Sequence, residues 1–524
     1  MANPSLQIGN GKFAIKENDL LGYSSSGTRF FPIPITMTRA TLGTRVNPSG
    51  LVENVELLGS ELITNGDFSS SDLSSFTVIF ATQEIVSQEL KTTLNTSNGY
   101  GFTRVFFTAE IGKSYRILVD AKQGTSDGTQ IKTQSGLTLT QSSSTTGDWS
   151  FEGIGVATST SCEFRLQVNG SDGDFGFFDN VSVKEVTRDG LARVDYTDST
   201  GSLLVEPQRT NLITYSEDFS EWNLQGSGTG STPIITSNNT ISPDGIQNAD
   251  KIVFNKGAGV SASDLSVISS DSFTTQSNIA SFYIKADSPQ KIVFRNSTNW
   301  QLVDVTTEWQ RISKTDTGNS VQIGLRDGYG ISGIPDTATI YLWGVQAEAG
   351  TYPTSYIKTQ GSSVTRNQDE YTKTGISDKI NSEEGVLFLE VAALSLTSTL
   401  EILSLSDGTY NNVVLFRYYD TSSNDIQVQV KVAGSLQASM LFTLTDATSF
   451  NKIAIKYKEN DFALWVNGVE VNTDSSGTTF TSSTLNKLSF DRGDGSNPLF
   501  SKVRQLQVFK TALSDSELAT LTTL

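Results

Sequence analysis

The stretch "NLITYSEDFSEWN" at 211–223 repeats, with small changes, the stretch "ELITNGDFSSSDL" at 61–73. Leu62-Ile63-Thr64 and Asp67-Phe68-Ser69 in the first answer Leu212-Ile213-Thr214 and Asp218-Phe219-Ser220 in the second. Three more landmarks occur in the same order. "KSYRILVDAK" (113–122) matches "IASFYIKAD" (279–287), "TTGDWSFEG" (145–153) matches "TTEWQRIS" (306–313), and "FGFFDNVSVKEV" (175–186) matches "TIYLWGVQAEAG" (339–350). This alignment sets Ile117, Val119 and Ala121 against Phe282, Ile284 and Ala286, and Trp149 against Trp309, with both tryptophans read as core. The segments alternate apolar and polar residues, which is the period of a strand with one buried face. A module has been duplicated. Each copy, 60–187 and 209–360, reads as a jelly-roll β-sandwich in which Leu-Ile-Thr opens a first strand and Asp-Phe-Ser turns into the next.

Composition agrees with an all-β chain. The 524 residues hold 44 Gly and 28 Phe, abundant Ser and Thr, and only 18% charged residues, enough core-forming residues to exclude disorder and enough length for three or four domains. The net charge is −18 with a pI near 4.6, and no Lys/Arg cluster is present, so a nucleic-acid partner is not expected. There is no histidine, which removes the commonest general base, the Ser-His and Cys-His nucleophile pairs and all His-ligated metals. The one cysteine, Cys162 in "TSTSCEFRLQV", reads as a buried strand position. The N-terminus lacks the basic-then-apolar pattern of a secretory signal, and no run approaches the length of a membrane span.

Residues 1–59, "TRFFPIPITMTRATLGTRVNPSGLVENVELL" among them, read as an extended arm that gains order by packing on something else. Pro32 and Pro34 at alternate positions suit an edge segment. Residues 188–208 and 361–382 read as linkers. A third domain spans 383–524, with period-2 segments throughout, a type I′ hairpin signal at Asn467-Gly468, and a capping box at Ser514–Glu517 opening one short helix.

The third domain resembles the concanavalin A-like (laminin G-like) sandwiches on the residues "FALWVNGVEV" (462–471) and "LQVFKTALSDSELATL" (506–521). That resemblance implies a fold that binds glycans or protein surfaces through rim loops. The Glu-x-Asp-x-x-Glu pattern of its glycosidase members is absent, so hydrolysis by paired carboxylates has no candidate residues. The two repeats resemble carbohydrate-binding modules of the galactose-binding-like jelly-roll type, with "NGDF" (65–68) and "FFDNVSV" (177–183) as bookends. The whole chain is similar to minor structural proteins of tailed bacteriophages on "TRATLGTRVNPSGLVE" (38–53), "QRTNLITYSEDFSEWN" (208–223) and "LWGVQAEAGTYPTSYIKTQGSSVTR" (342–366). The first repeat departs from the pattern in lacking the "TYPTSYI" run.

Candidate sites are suggested by residue type. Trp222, Trp300, Tyr418 and Tyr419, flanked by amides and acids, could stack on sugar rings, with Asp491 and Asp494 of "DRGDGSNP" (491–498) reaching hydroxyls from a rim loop. The other candidate rim segments are "DGTYNN" (407–412) and "YYDTSSND" (418–425). Arg492-Gly493-Asp494 itself reads as a tight loop. Asp172, Asp174 and Asp179 in "SDGDFGFFDN" could ligate a structural calcium, although a Gly-Asp turn before an edge strand is the favoured reading.

The resemblance therefore implies a noncatalytic virion fibre or appendage protein, on the head or the tail, made in the host cytoplasm. In this expectation the N-terminal arm docks on other virion proteins, three copies associate as a trimer, and the outer modules meet host surface glycans. A bacterial surface lectin and a polysaccharide-degrading tail spike are the alternatives.

Overall fold

The computed structural model describes residues 2–9, 13–16, 19–26, 29–139, 143–145, 147–296, 299–396, 400–420 and 423–524. The protein is all-β: antiparallel sheets make up nearly all of its regular structure, and the one α-helix among the described residues is Asp515–Thr522. The chain divides into two compact units, Glu56–Arg188 and the remainder, Met1–Val55 with Asp189–Leu524.

The Glu56–Arg188 unit is a sandwich. One sheet runs Leu137–Leu139, Trp149–Ala157, Ser114–Lys122, Phe175–Thr187, Glu89–Leu94, Ala81–Val86, with Leu57–Glu61 joined to Phe175–Thr187. The other runs Ser143–Thr145, Gly128–Ser135, Ser161–Asn169, Tyr100–Thr108, Phe76–Ile79. The alternation read from the sequence puts Ile117, Val119 and Ala121 inward against Phe164, Leu166 and Phe178. Cys162 lies in this core, and burial pushes its thiol pKa up. The second copy, within the larger unit, builds two five-stranded sheets around Phe282, Ile284, Phe294, Ile323 and Leu342.

The two copies share an irregularity. In the first, Leu118 faces Ser182 and Asp120 faces Asp179, so the closing strand carries an extra residue there. In the second, Ser281 faces Gln346 and Tyr283 faces Trp343, with the same extra residue. The bulge residues Asn180 and Gly344 both have left-handed backbone, φ +50° and +65°. The opening segment docks alike in both: Leu62 N and Val181 N donate to Val183 O and Gly66 O, and Leu212 N and Val345 N donate to Ala347 O and Ser216 O, all at 2.8–2.9 Å.

This bulge corrects the register of the sequence alignment. It makes Ile117 equivalent to Ala280 and Val119 to Phe282, a slip of two residues that keeps the face. The tryptophans do not correspond. Trp149 is opposite Ala121 and packs on the inter-sheet core, its indole N–H donating to Thr129 Oγ1 at 2.7 Å. Trp309 packs outside, with Trp343, Tyr356 and Tyr283. A strand inverts its faces with every single-residue step, so two tryptophans one position out of register lie on opposite sides. Leu-Ile-Thr also opens no strand: it comes after the short strands Leu57–Glu61 and Arg209–Asn211, and Ile63 and Ile213 anchor the loop into the cores.

The 1–59 segment is not an arm. Leu6–Gly9 pairs with the C-terminal strand Ser501–Phe509, Leu6 against Val508. Asp19–Ser26 pairs back on Leu6–Gly9 and forward on Arg29–Thr38, which continues to Glu370–Thr374 and, through Lys487–Ser489, into the second sheet. The 188–208 and 361–382 segments supply the strands Ser202–Val205 and Glu370–Thr374. The terminal sandwich, read from sequence as 383–524, is thus completed by strands from three distant segments. They bury Leu6, Ile8, Leu20, Ile35, Leu203 and Tyr371 in one core with Leu389, Ile455 and Leu506. The Asn467-Gly468 hairpin and the Ser514/Glu517 capping box form where the sequence places them.

Candidate functional site

Most of the sugar-stacking candidates are core residues. Trp222 is 5% exposed, edge-on to Phe219, with its indole N–H donating to Tyr215 O at 2.9 Å. Tyr418 is 4% exposed and edge-on to Phe416; alternation turns it inward and its neighbour outward. Trp300 is 9% exposed because the Arg295 and Arg326 guanidinium groups lie over its ring at 5.1 and 5.7 Å. Only Tyr419, 41% exposed, presents a ring to solvent, and Arg417 lies 4.8 Å from its centroid. Sequence could not separate these cases, since an aromatic on a strand scores alike on either face.

The rim acids have local duties. Asp491 Oδ1 accepts from Gly493 N, Gly495 N and Ser489 Oγ, and Asp494 pairs with Arg492 at 2.7 Å, which holds its carboxyl below the usual range. Of the calcium candidates, Asp174 Oδ2 accepts from Ser171 N at 2.7 Å and closes a turn that also contains Asp172. Asp179 stands five residues beyond Asp174 along the strand, about 16 Å away at strand rise. The three do not converge on one point, and no metal-holding group of acidic side chains occurs among the described residues.

Two arrangements were not foreseen. The first is a buried ionic network. Arg39 donates to Asp369 Oδ1 at 2.7 Å; Arg193 donates to Asp369, to Glu206 at 2.6 Å and to Ser355 Oγ at 2.6 Å; Arg366 reaches Glu206 at 2.8 Å and Ser355 Oγ at 2.7 Å. All five charged groups are sealed from solvent. Burial raises the Glu206 pKa, but Arg366 and Arg193 outweigh it and bring the group down to about 2. Burial likewise works against the Arg193 charge, and Asp369 and Glu206 outweigh it. Gly43 is required here: a Cβ on it would lie 2.8 Å from both Arg193 Cδ and Arg39 Cζ. The stretches 38–53, 208–223 and 342–366 meet at or beside this network. Thr44 Oγ1 donates to Tyr356 O, and Asn211 holds Ile357 O.

The second is a groove on the outer sheet face of the first module, about 410 Å³, lined by Leu118, Asn65, Asp67, Asn180 and Ser182, with the core residues Ile63 and Val181 beneath it. Asp120 and Asp179 stand beside it: Asn180 Nδ2 donates to Asp120 Oδ2 at 2.8 Å, and Asn180 N to Asp179 Oδ1 at 2.7 Å. Burial pushes the Asp179 carboxyl up, with Glu89, Asp120 and Asp67 adding to the shift. In the second module the matching position is filled by the chain itself. Tyr356 packs 4.5 Å from Trp343 with the rings tilted by 49°, and its hydroxyl shares hydrogen bonds with Ser216 Oγ at 2.7 Å and Glu217 Oε1 at 2.8 Å. Gln346 receives Ile357 N at 2.7 Å, and a Cβ on Gly344 would touch the Tyr356 ring at 3.4 Å. The Gly43–Val46 and Val52–Val55 hairpin closes over the same face, with Val46 and Val52 packed in this cluster. The missing "TYPTSYI" run in the first repeat was the sequence signal for this difference.

No family model matches the chain, and no curated protein matches it. Solved structures similar in part include the carbohydrate-binding module CBM40 of Ruminococcus gnavus IT-sialidase bound to α2,3-sialyllactose, 17% identical over 27% of this chain and 83% of that one, TM-score 0.24. The CBM22-1–CBM22-2 tandem domain of Paenibacillus barcinonensis Xyn10C is 11% identical over 56% and 98%, TM-score 0.21. A Trypanosoma rangeli sialidase in complex with 2,3-difluoro-KDN is 9% identical over 99% and 93%, TM-score 0.23. At these scores the likenesses carry no weight in assigning a function. Among the described residues, no helix is long and apolar enough to cross a membrane.

Proposed function

We propose that the chain is a noncatalytic structural protein of a tailed-phage particle that also binds glycans. The observation that carries the reading is that the stretches with the phage resemblance meet at or beside one buried ionic network: 38–53 gives it Arg39, 342–366 gives it Ser355 and Arg366, and 208–223 packs next to it through Asn211. Their pairing in sequence then has a physical cause: they are the parts that lock the second module to the terminal sandwich. Buried carboxylates neutralised by three guanidinium groups hold structure together and are unsuited to acid–base chemistry. Docking through a free N-terminal arm is set aside, because those residues are strands of the sandwich. Glycan binding is assigned to the first module, which has no counterpart of the strap that fills the matching sheet face within the second.

The test is the particle itself. Antibodies raised against the purified chain should label particles purified from lysates, and its peptides should be found in them by mass spectrometry. Particles free of the chain overturn the structural role. Incubation with host surface polysaccharide should release no new reducing ends; sustained release would make the protein an enzyme.

A further inference from the structure

We infer that the groove of the first module is a site for one uncharged or amino-bearing pyranose unit, bound by Asp67, Asp120, Asp179 and Asn180. The inference rests on the proposed glycan-binding function and specifies where and what the chain binds.

The duplicated module holds a six-membered ring at the matching place. In the second copy the Tyr356 ring packs at a tilt against Trp343 and against the bulge at Gly344, and its hydroxyl meets Ser216 and Glu217. The fold therefore accepts a ring with a hydroxyl at its rim, on the outer face of the bulge. The first copy keeps the bulge, the docked opening segment and the left-handed bulge residue. It lacks the strap. Its groove volume falls in the range of small-molecule sites, about 300–1,000 Å³.

The changes between the copies define the ligand. Trp343 and Tyr283, on which Tyr356 packs, are replaced by Asp179 and Asp120. Two carboxylates in place of two aromatic faces give poor stacking for a phenol. They accept hydrogen bonds from hydroxyl or ammonium groups, and they repel an anion. Asp67 and Asp179 each use one oxygen locally, on Ser69 and on Asn180 N, which leaves the other for a ligand. The bulge residue changes from Gly344, where a side chain would press on Tyr356, to Asn180, whose amide reaches into the rim. Leu118, facing outward between the core residues Ile117 and Val119, supplies the apolar contact for the C–H face of a sugar. A ring carrying several O–H donors and no negative charge fits this set; an acidic sugar or a tyrosine-bearing peptide does not.

The experiment uses the full chain, displayed in many copies on beads, against a glycan array holding neutral, amino and anionic saccharides, with the peptide Thr-Tyr-Pro-Thr-Ser-Tyr-Ile as a further probe. Neutral or amino sugars should bind and anionic ones should not. Asp120→Asn with Asp179→Asn should weaken binding by about tenfold or more, as expected for lost charge-assisted hydrogen bonds. Ser182→Trp, which fills the groove without touching either core, should abolish binding. Unchanged thermal unfolding of the variants shows that the fold is kept. Glycan binding that both variants retain overturns this site and leaves the glycan-binding function standing elsewhere on the chain. Preference for anionic sugars, or for the peptide, overturns the ligand class. Binding of no sugar removes the glycan-binding function together with the site.

Discussion

Arg39 and Asp369, 330 residues apart in the chain, meet at 2.7 Å with both side chains sealed from solvent. Asp369 also takes Arg193 and accepts from Glu206 N at 2.9 Å, so one carboxylate ties an N-terminal segment, the segment after the first module and the segment after the second. Removing one partner of such a network leaves a buried charge uncompensated, at a cost of about 3–5 kcal/mol. Asp369→Ala and Arg193→Ala should each lower stability by that amount in chemical denaturation. The double variant should cost less than the sum, because the second substitution removes the charge stranded by the first. Additive losses would show that the two groups do not act as a unit.

Deleting residues 1–38 should unfold the terminal sandwich. Leu6, Ile8, Leu20 and Ile35 are buried in its core, and Leu6–Gly9 covers the edge of Ser501–Phe509. Removing four large apolar side chains at roughly 2–5 kcal/mol each exceeds the stability of an ordinary domain. Limited proteolysis should then cut within 383–524 while the Glu56–Arg188 sandwich persists. A truncated chain with a protease-resistant C-terminal domain would refute the pairing.

The Tyr356 strap gives a graded pair of substitutions. Tyr356→Phe keeps the ring on Trp343 and loses the hydroxyl that meets Ser216 and Glu217, which should cost about 1–2 kcal/mol. Glu217 retains Lys358 at 3.0 Å, which moderates the loss. Tyr356→Ala also leaves a cavity between Trp343 and the Val52 hairpin and should cost about 3–5 kcal/mol. Equal losses for the two substitutions would mean that the ring contributes nothing.

Sequence reading succeeded where the signal is local. Alternation revealed the strands, Asn467-Gly468 the hairpin and Ser514–Glu517 the helix start, because each depends on a few neighbouring residues. It failed where a strand's partner lies far along the chain. Nothing in "LQIG" at 6–9 names Gln505–Val508 as its neighbour, so an interior strand looked like a loose arm. It also failed where the alignment was off by one residue: Gln310, which faces Ile284, answers Trp149, which faces Ala121, so Trp309 one step earlier falls on the outer face. The aromatic candidates shared that weakness: Trp222 and Tyr418 are chemically suited to sugars and geometrically buried. The groove was visible only as a difference between copies, the run present after 350 and absent after 186.

The pH dependence of stability should show two opposed limbs from two named carboxyls. Glu206 sits at about 2 in the folded chain, below the ordinary value of about 4.3. Its contribution, on the order of 3 kcal/mol, is complete above pH 4–5 and is lost as pH falls toward 2. Asp250 is the reverse. Burial pushes it up to about 6, and Asp218 and Glu217 add to the rise, although Asn238 N and Phe219 N donate to it. The folded state then holds the Asp250 proton more tightly than the unfolded one, so stability falls as pH rises from about 4 to about 6, by roughly 2–3 kcal/mol. Unfolding midpoints measured from pH 2 to 8 should therefore peak near pH 4–5. Asp250→Asn keeps an acceptor oxygen but cannot ionise, so it should flatten the decline above pH 4 and leave the acid limb unchanged. If the variant declines between pH 4 and 7 as steeply as the natural chain, Asp250 is not the group responsible.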